Sequence, residues 1–277
     1  MGKVRVGVIG VGYLGKFHAE KYARMKNVQL IGVVDVNRDR AEEVAARFDT
    51  RAFADYQDLM GRVDAVSIVV PTADHFAVAA ECLNHDLDVL IEKPMTATLE
   101  QADELIKIAG SKGRIMQIGH LERFNPAVIA LKDIVHNPMF IEAHRLGIFN
   151  DRSTDVSVVL DLMIHDIDII MNVVKSEIKS IHAAGAPVIC EHADIANVRL
   201  EFGSGCVANV TASRISTKNE RKIRIFQKDA YVSVDFTTRD ITIIRRDETI
   251  SGDLIPGMDI RQLSFSESDA LKDELAS

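Results

Sequence analysis

The sequence predicts an α/β protein of two domains. A doubly wound parallel sheet is expected over residues 1–120, and an α+β domain on a largely antiparallel open sheet over 121–277. Three observations predict it. The first stretch alternates strand-like and helix-like runs, a pattern that lays strands side by side in one direction with helices on both faces. A glycine-rich turn joins its first strand to its first helix. Past about residue 120, short strand-like runs with turn residues between them become the dominant pattern.

Val4 to Ile9 reads as a strand and runs into GVGYLG, which sets Gly10, Gly12 and Gly15 in G-x-G-x-x-G spacing. The helix-like YLGKFHAEKYARM follows, then the strand VQLIGVVDV, which reaches Asp35 about twenty residues past Gly15. A lone G-x-G-x-x-G is weak evidence, but strand, helix and acidic residue in that order make a dinucleotide-binding pattern. Gly10 makes the tight turn, Gly12 leaves room for a pyrophosphate, and Gly15 lets helix and strand pack closely. Tyr13 and Leu14 lie on the same turn, where the helix N-terminus offers free N–H groups to phosphate. Asp35 is placed to accept from both ribose hydroxyls and would repel the extra phosphate of NADP. NAD is therefore the expected cofactor, with Arg38 as the residue that would pair with that phosphate if NADP bound instead.

The alternation continues through the strand DAVSIVV, the helix HFAVAAECLNH, the strand DVLIEKP, the helix TLEQADELIKIAGSKG and the strand RIMQIGH. Ligands bind such sheets beyond the carboxyl ends of the strands. Three ends become candidates: PTADH, with Pro71, Thr72 and His75, and EKP, with Glu92 and Lys93, for the cofactor; and GHLERFNP, with Arg123 and Asn125, for the substrate, which Lys93 is also expected to meet. A lysine at a strand end, followed by the rigid Pro94, is held as a loop lysine is not. The plain alternative is a Glu–Lys surface pair at a turn.

NPAVIALKDIVH begins a helix at Asn125-Pro126, a cap and first-turn pair. The strand-like runs that follow are FIEAHRLGIF, SIHAAGAPVI, IANVRLEF, CVANVTASRI, RKIRIFQ, AYVSVDF and DITIIRR. One face of their sheet is expected under helices. The other, read as alternating Val, Ile and Phe, is expected to be open to an oligomer contact. Between the first two runs lies VVLDLMIHDIDII, too long and too evenly aliphatic for a strand. On a helix, Asp161, His165 and Asp168 share one narrow stripe while Asp166 points elsewhere. Such a stripe is either the wall of a cleft or the wetted edge of an amphipathic helix.

A net charge of −8 argues against a nucleic-acid partner, which needs a concentrated basic face. Three widely spaced cysteines form no C-x-x-C pair, so inert thiols are expected and neither a metal site nor a disulfide framework. No apolar run reaches membrane-spanning length, and MGKVRVGVIG lacks the shape of a signal peptide. A cytoplasmic protein is the expectation.

With these residues in view, the chain resembles the glucose–fructose oxidoreductase / inositol dehydrogenase / MocA-like family of NAD(P)-dependent oxidoreductases. GVIGVGYLG, LIEKPMT and the D-x-x-x-H spacing of Asp161 and His165 carry the resemblance, which covers nearly the whole chain. It implies that Lys93, Asp161 and His165 surround a substrate hydroxyl beside the nicotinamide. Oxidising an alcohol needs a base for the hydroxyl proton. An imidazole, near ~6.5 in water, suits that at neutral pH. A lysine amine, near ~10.4, must be lowered to serve as base, or else stays charged and steadies the forming alkoxide. Asp161 either orients His165 or binds the sugar with it. GHLERFNPAV and HRLGIFNDRSTDVSVVLDLMIHDID are similar to the nucleotide-sugar branch, which oxidises the 3-hydroxyl of UDP-N-acetylglucosamine and passes the ketone to a partner aminotransferase. Arg123, Arg145 and Arg152 are then the expected grip on the diphosphate. A dehydrogenase of a free sugar or inositol and a non-catalytic NAD-binding sensor are the alternatives, and a homodimer or homotetramer is expected. SESDALKDELAS reads as an amphipathic helix cut short; in relatives the chain continues, and such a helix leads back toward the dinucleotide domain.

Overall fold

The computed structural model of the protein describes residues 2–150, 156–246, 257–266 and 268–277. The chain divides into two units, 1–120 with 271–277, and 121–270.

In the first unit, β1 (Val4–Ile9), β2 (Val28–Val34), β3 (Arg51–Phe53), β4 (Ala65–Ile68), β5 (Asp88–Glu92) and β6 (Met116–Gly119) form one parallel sheet. Their order is β3-β2-β1-β4-β5-β6, so the sequence of strands reverses between β1 and β4. That reversal leaves a crevice at the carboxyl ends of the two strands. The connecting helices are α1 (Gly15–Arg24), α2 (Arg38–Arg47), α3 (Thr72–Asn84) and α4 (Leu99–Lys112). Both ends of α4 follow from local chemistry. The Thr98 side chain accepts from Gln101 N at its start, and Gly113 closes it at φ 61°. The aliphatic runs of the central strands are buried: Val8, Val33, Val66, Ile68 and Ile91 are shielded from water on both sheet faces. Burial also pushes the Cys82 thiol up to about 12, which keeps it protonated and inert.

The second unit starts with α5 (Pro126–Ile134), capped by Asn125, whose side chain accepts from Ala127 N. Its sheet holds β7 (Pro138–Leu146), β8 (Ile178–Ala186), β9 (Ile195–Phe202), β10 (Val207–Ser213), β11 (Glu220–Gln227), β12 (Ala230–Asp235), β13 (Asp240–Arg246) and β14 (Met258–Ser264). These eight strands run in the order β14-β13-β12-β11-β7-β10-β9-β8, every pair antiparallel except β7 with β10. Ile141, Val198, Val210, Ile225, Val232 and Ile243 all point to one face and form a core with Leu131 of α5 and with Ile169 and Ile170. The last two belong to α6 (Ile164–Val174).

The opposite sheet face differs from the expected Val, Ile and Phe stripe. The period-2 aliphatics are spent on the helix-covered side. The open side carries the pairs Glu142–Arg224 and Lys222–Asp235, with one aromatic cluster of Phe140, Phe226 and Tyr231. The C-terminal helix α7 (Ala270–Ala276) also differs from the expected boundary. Leu275 packs into the α1 core of the first unit, and the Gln117 amide donates to Glu274 O. Among the described residues, no helix is long and apolar enough to cross a membrane.

Candidate active site

In the first unit, the turn between β1 and α1 leaves no room for side chains at two of its glycines. Gly10 sits at φ 86°, and a Cβ there would meet Val69 O at 2.5 Å; one on Gly15 would meet Gly10 O at 1.9 Å. Gly12 is different. A Cβ there would find only Arg40 Nη1, at 4.0 Å, so the backbone is bare toward open space. That space is a cleft of about 730 Å³ at the switch between β1 and β4, lined by Gly10, Gly12, Asp35, Arg40, Pro71 and Asp74 among others. Leu14 takes the cap position of α1, and no acidic residue occupies the helix's first turn to compete with a phosphate. Tyr13 lies exposed beside it, its ring edge against Phe17 at 5.8 Å.

Asp35 is buried at the end of β2 and rigidly held. Its Oδ2 accepts from Val11 N at 3.0 Å and its Oδ1 from Asn37 N at 2.9 Å. Arg40 Nη1 approaches the same carboxylate at 3.3 Å. Arg38 does not reach it: two positions earlier on α2, it points outward and pairs with Glu42 one turn on, at 2.7 Å. The cation beside the acidic residue is thus Arg40. The i,i+4 match of Arg38 with Glu42 was the signal that singles out Arg38 as the outward one.

Lys93 follows directly on β5, and its peptide bond to Pro94 is cis. Glu92 points inward. Its Oε1 lies 3.1 Å from Nε2 of His18 on α1, and its Oε2 accepts from Lys93 N at 3.3 Å. A Cβ on Gly119 would lie 2.9 Å from this carboxyl group, so the neighbouring strand must end in glycine. Glu92 is therefore a buried anchor of the turn. His18 is its partner, a residue that no motif in the sequence singles out. Thr72 opens α3, and His75 one turn on is 1% exposed, so its ring does not reach the cleft. Its nitrogens lie 2.8 Å from Pro94 O and 2.9 Å from Val70 O.

In the second unit, Asp161 lies in a π-helical turn, Val159–Met163, that leads into α6. Such turns are rare and frequent at functional sites. Asp161, His165 and Asp168 are all partly exposed, whereas Asp166 is fully buried. The stripe is thus a separate surface from the face that packs on the sheet.

The arginines divide. Arg145 on β7 is buried: Nε and Nη2 donate to the two oxygens of Asp166, each at 2.9 Å, and Nη1 donates to Glu122 Oε1 at 3.1 Å. Burial alone would lower the Arg145 pKa, but the charges of Asp166 and Glu122 outweigh it and raise it. Burial pushes Asp166 up and the guanidinium opposes it. This pairing leaves Arg145 without a fork to offer a diphosphate. Arg123 is half exposed and holds Asp168 through two bonds, 2.8 and 2.5 Å. Asn125 caps α5 and donates to Glu122 Oε2 at 3.2 Å. Arg152 lies outside the described residues.

Comparison with known proteins agrees across both units. Residues 4–120 match the oxidoreductase family with an NAD-binding Rossmann fold, and residues 134–233 match the GFO/IDH/MocA C-terminal domain. The chain is 42% identical over 274 residues to UDP-N-acetylglucosamine 3-dehydrogenase of Acidithiobacillus ferrooxidans, spanning 98% of this chain and 86% of that protein. A solved structure of UDP-N-acetylglucosamine 3-dehydrogenase from the same organism superposes with a TM-score of 0.93 at 41% identity, over 100% of this chain and 89% of that one. An NAD-binding oxidoreductase from Klebsiella pneumoniae shares the fold, with a TM-score of 0.87 at 19% identity over 99% and 88% of the two chains.

Proposed function

The chain belongs to the GFO/IDH/MocA family of NAD-binding oxidoreductases, and from that premise we propose that it oxidises the 3-hydroxyl of a UDP-N-acetyl sugar. The observation that carries the substrate class is the full-length similarity to UDP-N-acetylglucosamine 3-dehydrogenase, which spans both units. When bound, NAD supplies the hydride acceptor. The first unit fits it: bare backbone at Gly12, the start of α1 for the pyrophosphate, and Asp35 for the ribose.

By the family resemblance, Lys93 and His165 are the candidates for the proton work on the substrate hydroxyl, one to take the proton and the other to steady the oxygen that becomes the ketone. Asp161, a turn before His165, orients it. Of the arginines, Arg152 is left as the principal candidate for the diphosphate, and Arg123 is the second candidate. Arg145 instead holds the helix that carries His165. Amination by a partner aminotransferase is the natural fate of a 3-keto amino sugar. The aromatic cluster on the open sheet face is the contact of the expected homodimer or homotetramer, and a monomeric mass by light scattering removes that assignment.

The test of the reaction is NADH absorbance with NAD, UDP-N-acetylglucosamine and a ketone trap. The trap draws forward an oxidation that is otherwise uphill. NADH formation with this sugar, and none with free glucose or inositol, is the expected result. Turnover of inositol in place of the nucleotide sugar overturns the substrate class.

NAD is expected to bind tighter than NADP. Asp35 is held by two backbone N–H groups and cannot swing away from a 2′-phosphate. Arg40 is already paired with it and offsets only part of the repulsion. The two dissociation constants, measured by calorimetry, differ by at least about tenfold if one unpaired charge costs ~1.4 kcal/mol or more. Equal affinities remove Asp35 as the discriminator.

A further inference from the structure

His75 contacts neither the cleft nor solvent, yet its ring spans two chain segments that matter to the site. One nitrogen faces Pro94 O at 2.8 Å, in the turn that carries Lys93. The other faces Val70 O at 2.9 Å, at the end of β4, where Val70 and Pro71 form part of the cleft wall. Strands β4 and β5 are neighbours, paired from Ala65↔Asp88 to Ile68↔Ile91, and beyond those residues the ladder stops. His75 lies between the two chains where backbone hydrogen bonds no longer pair them, and a neutral ring, with one N–H, donates to one of these two carbonyl oxygens.

We propose that His75 is a positioning residue: its ring fixes the turn of Lys93 against the wall of the cofactor cleft. This rests on the reading of Lys93 as part of the reaction. The opposite side of the turn is already tied, since Glu92 is held by His18 and accepts from Lys93 N. Loss of His75 removes one of the ties described for the turn, the one on the side of the cleft wall, and loosens the position of Lys93. The two ring nitrogens have separable jobs. With its proton on Nδ1 the ring donates to Pro94 O of the lysine turn, while Nε2 lies against Val70 O of the cleft wall.

That separation gives the test, because an asparagine amide reaches about as far as Nδ1 and a glutamine amide about as far as Nε2. His75→Asn keeps a donor for Pro94 O, and His75→Gln keeps one for Val70 O. The expected result is a kcat about tenfold to a hundredfold lower in H75Q, most of it recovered in H75N, since a misplacement of about an ångström costs on that order. KM and the NAD dissociation constant stay within about twofold in both, because neither Gly12 nor Asp35 is touched. Hydrogen exchange of a peptide covering 92–98 is followed alongside, and it rises in H75Q and not in H75N. Equal losses in the two variants, tracking their melting temperatures, overturn the proposal and leave His75 a core residue. A larger loss in H75N's NAD affinity than in its kcat also overturns it. If the wild-type protein turns over none of the sugars, the reaction assigned to Lys93 falls, while the exchange measurement still decides whether His75 clamps the turn.

Discussion

Lys93→Ala is expected to lower kcat with UDP-N-acetylglucosamine by about a thousandfold, the middle of the range for losing a general acid–base or an oxyanion-stabilising group. The NAD dissociation constant is expected to change by no more than about twofold, because the groups that would hold the cofactor lie elsewhere. Gly10, Gly12 and Gly15 shape the turn before α1, and Asp35 is fixed by Val11 N and Asn37 N. None of these contacts involves the Lys93 side chain. The turn itself survives the substitution, since it is tied through Glu92 and through Pro94 O. A fall in kcat with cofactor binding intact therefore isolates chemistry from folding. Rate assays paired with calorimetric titration of NAD read the two quantities separately. The same variant separates the rival readings. An NAD-binding sensor has no turnover to lose, and an inositol dehydrogenase loses turnover of inositol instead. A rate within about threefold of wild type would sink the role given to Lys93.

Much of this site was legible in the sequence because it is encoded by backbone requirements. Gly10 and Gly15 tolerate no Cβ, and Asp35 sits one strand further along at a fixed remove, so pattern and geometry coincide. The helix periodicity likewise separated Asp166, fully buried, from the partly exposed Asp161, His165 and Asp168. What was not legible is partner choice. Arg38 and Arg40 are both close to Asp35 in sequence, and only the direction each takes from α2 assigns the carboxylate to Arg40. The strands β3 and β14 escaped notice for a related reason. Each lies at a sheet edge and buries little, so no apolar alternation marks it. The aliphatic residues expected on the open sheet face were real but belong to the covered face, since period-2 alternation does not say which side the helices take. Nor does local pattern say where a terminal helix docks, as Leu275 shows by joining the first unit.

Arg145 is the case in which sequence expectation and structure make opposite quantitative predictions. A diphosphate-binding arginine is solvent-accessible and spare; its removal raises KM and leaves stability alone. In the structure its side chain is 4% exposed and makes three charged hydrogen bonds, two to Asp166 and one to Glu122. Arg145→Ala would leave the Asp166 carboxylate fully buried without that partner, and breaking a buried pair this way costs about 3–5 kcal/mol. The expected drop in melting temperature is on the order of 10 °C for a protein of this size. A second variant separates the stranded charge from the lost packing. Arg145→Met combined with Asp166→Leu removes both charges and refills the space, and it is expected to recover most of the lost stability. Glu122 tolerates this, since Asn125 Nδ2 still donates to it. Activity should follow the same order, because Asp166 is the residue next to His165 and the pair pins α6 to β7. If Arg145→Ala instead melts like wild type and raises KM for the nucleotide sugar, the guanidinium belongs to the substrate, and the buried pair is not what holds the helix.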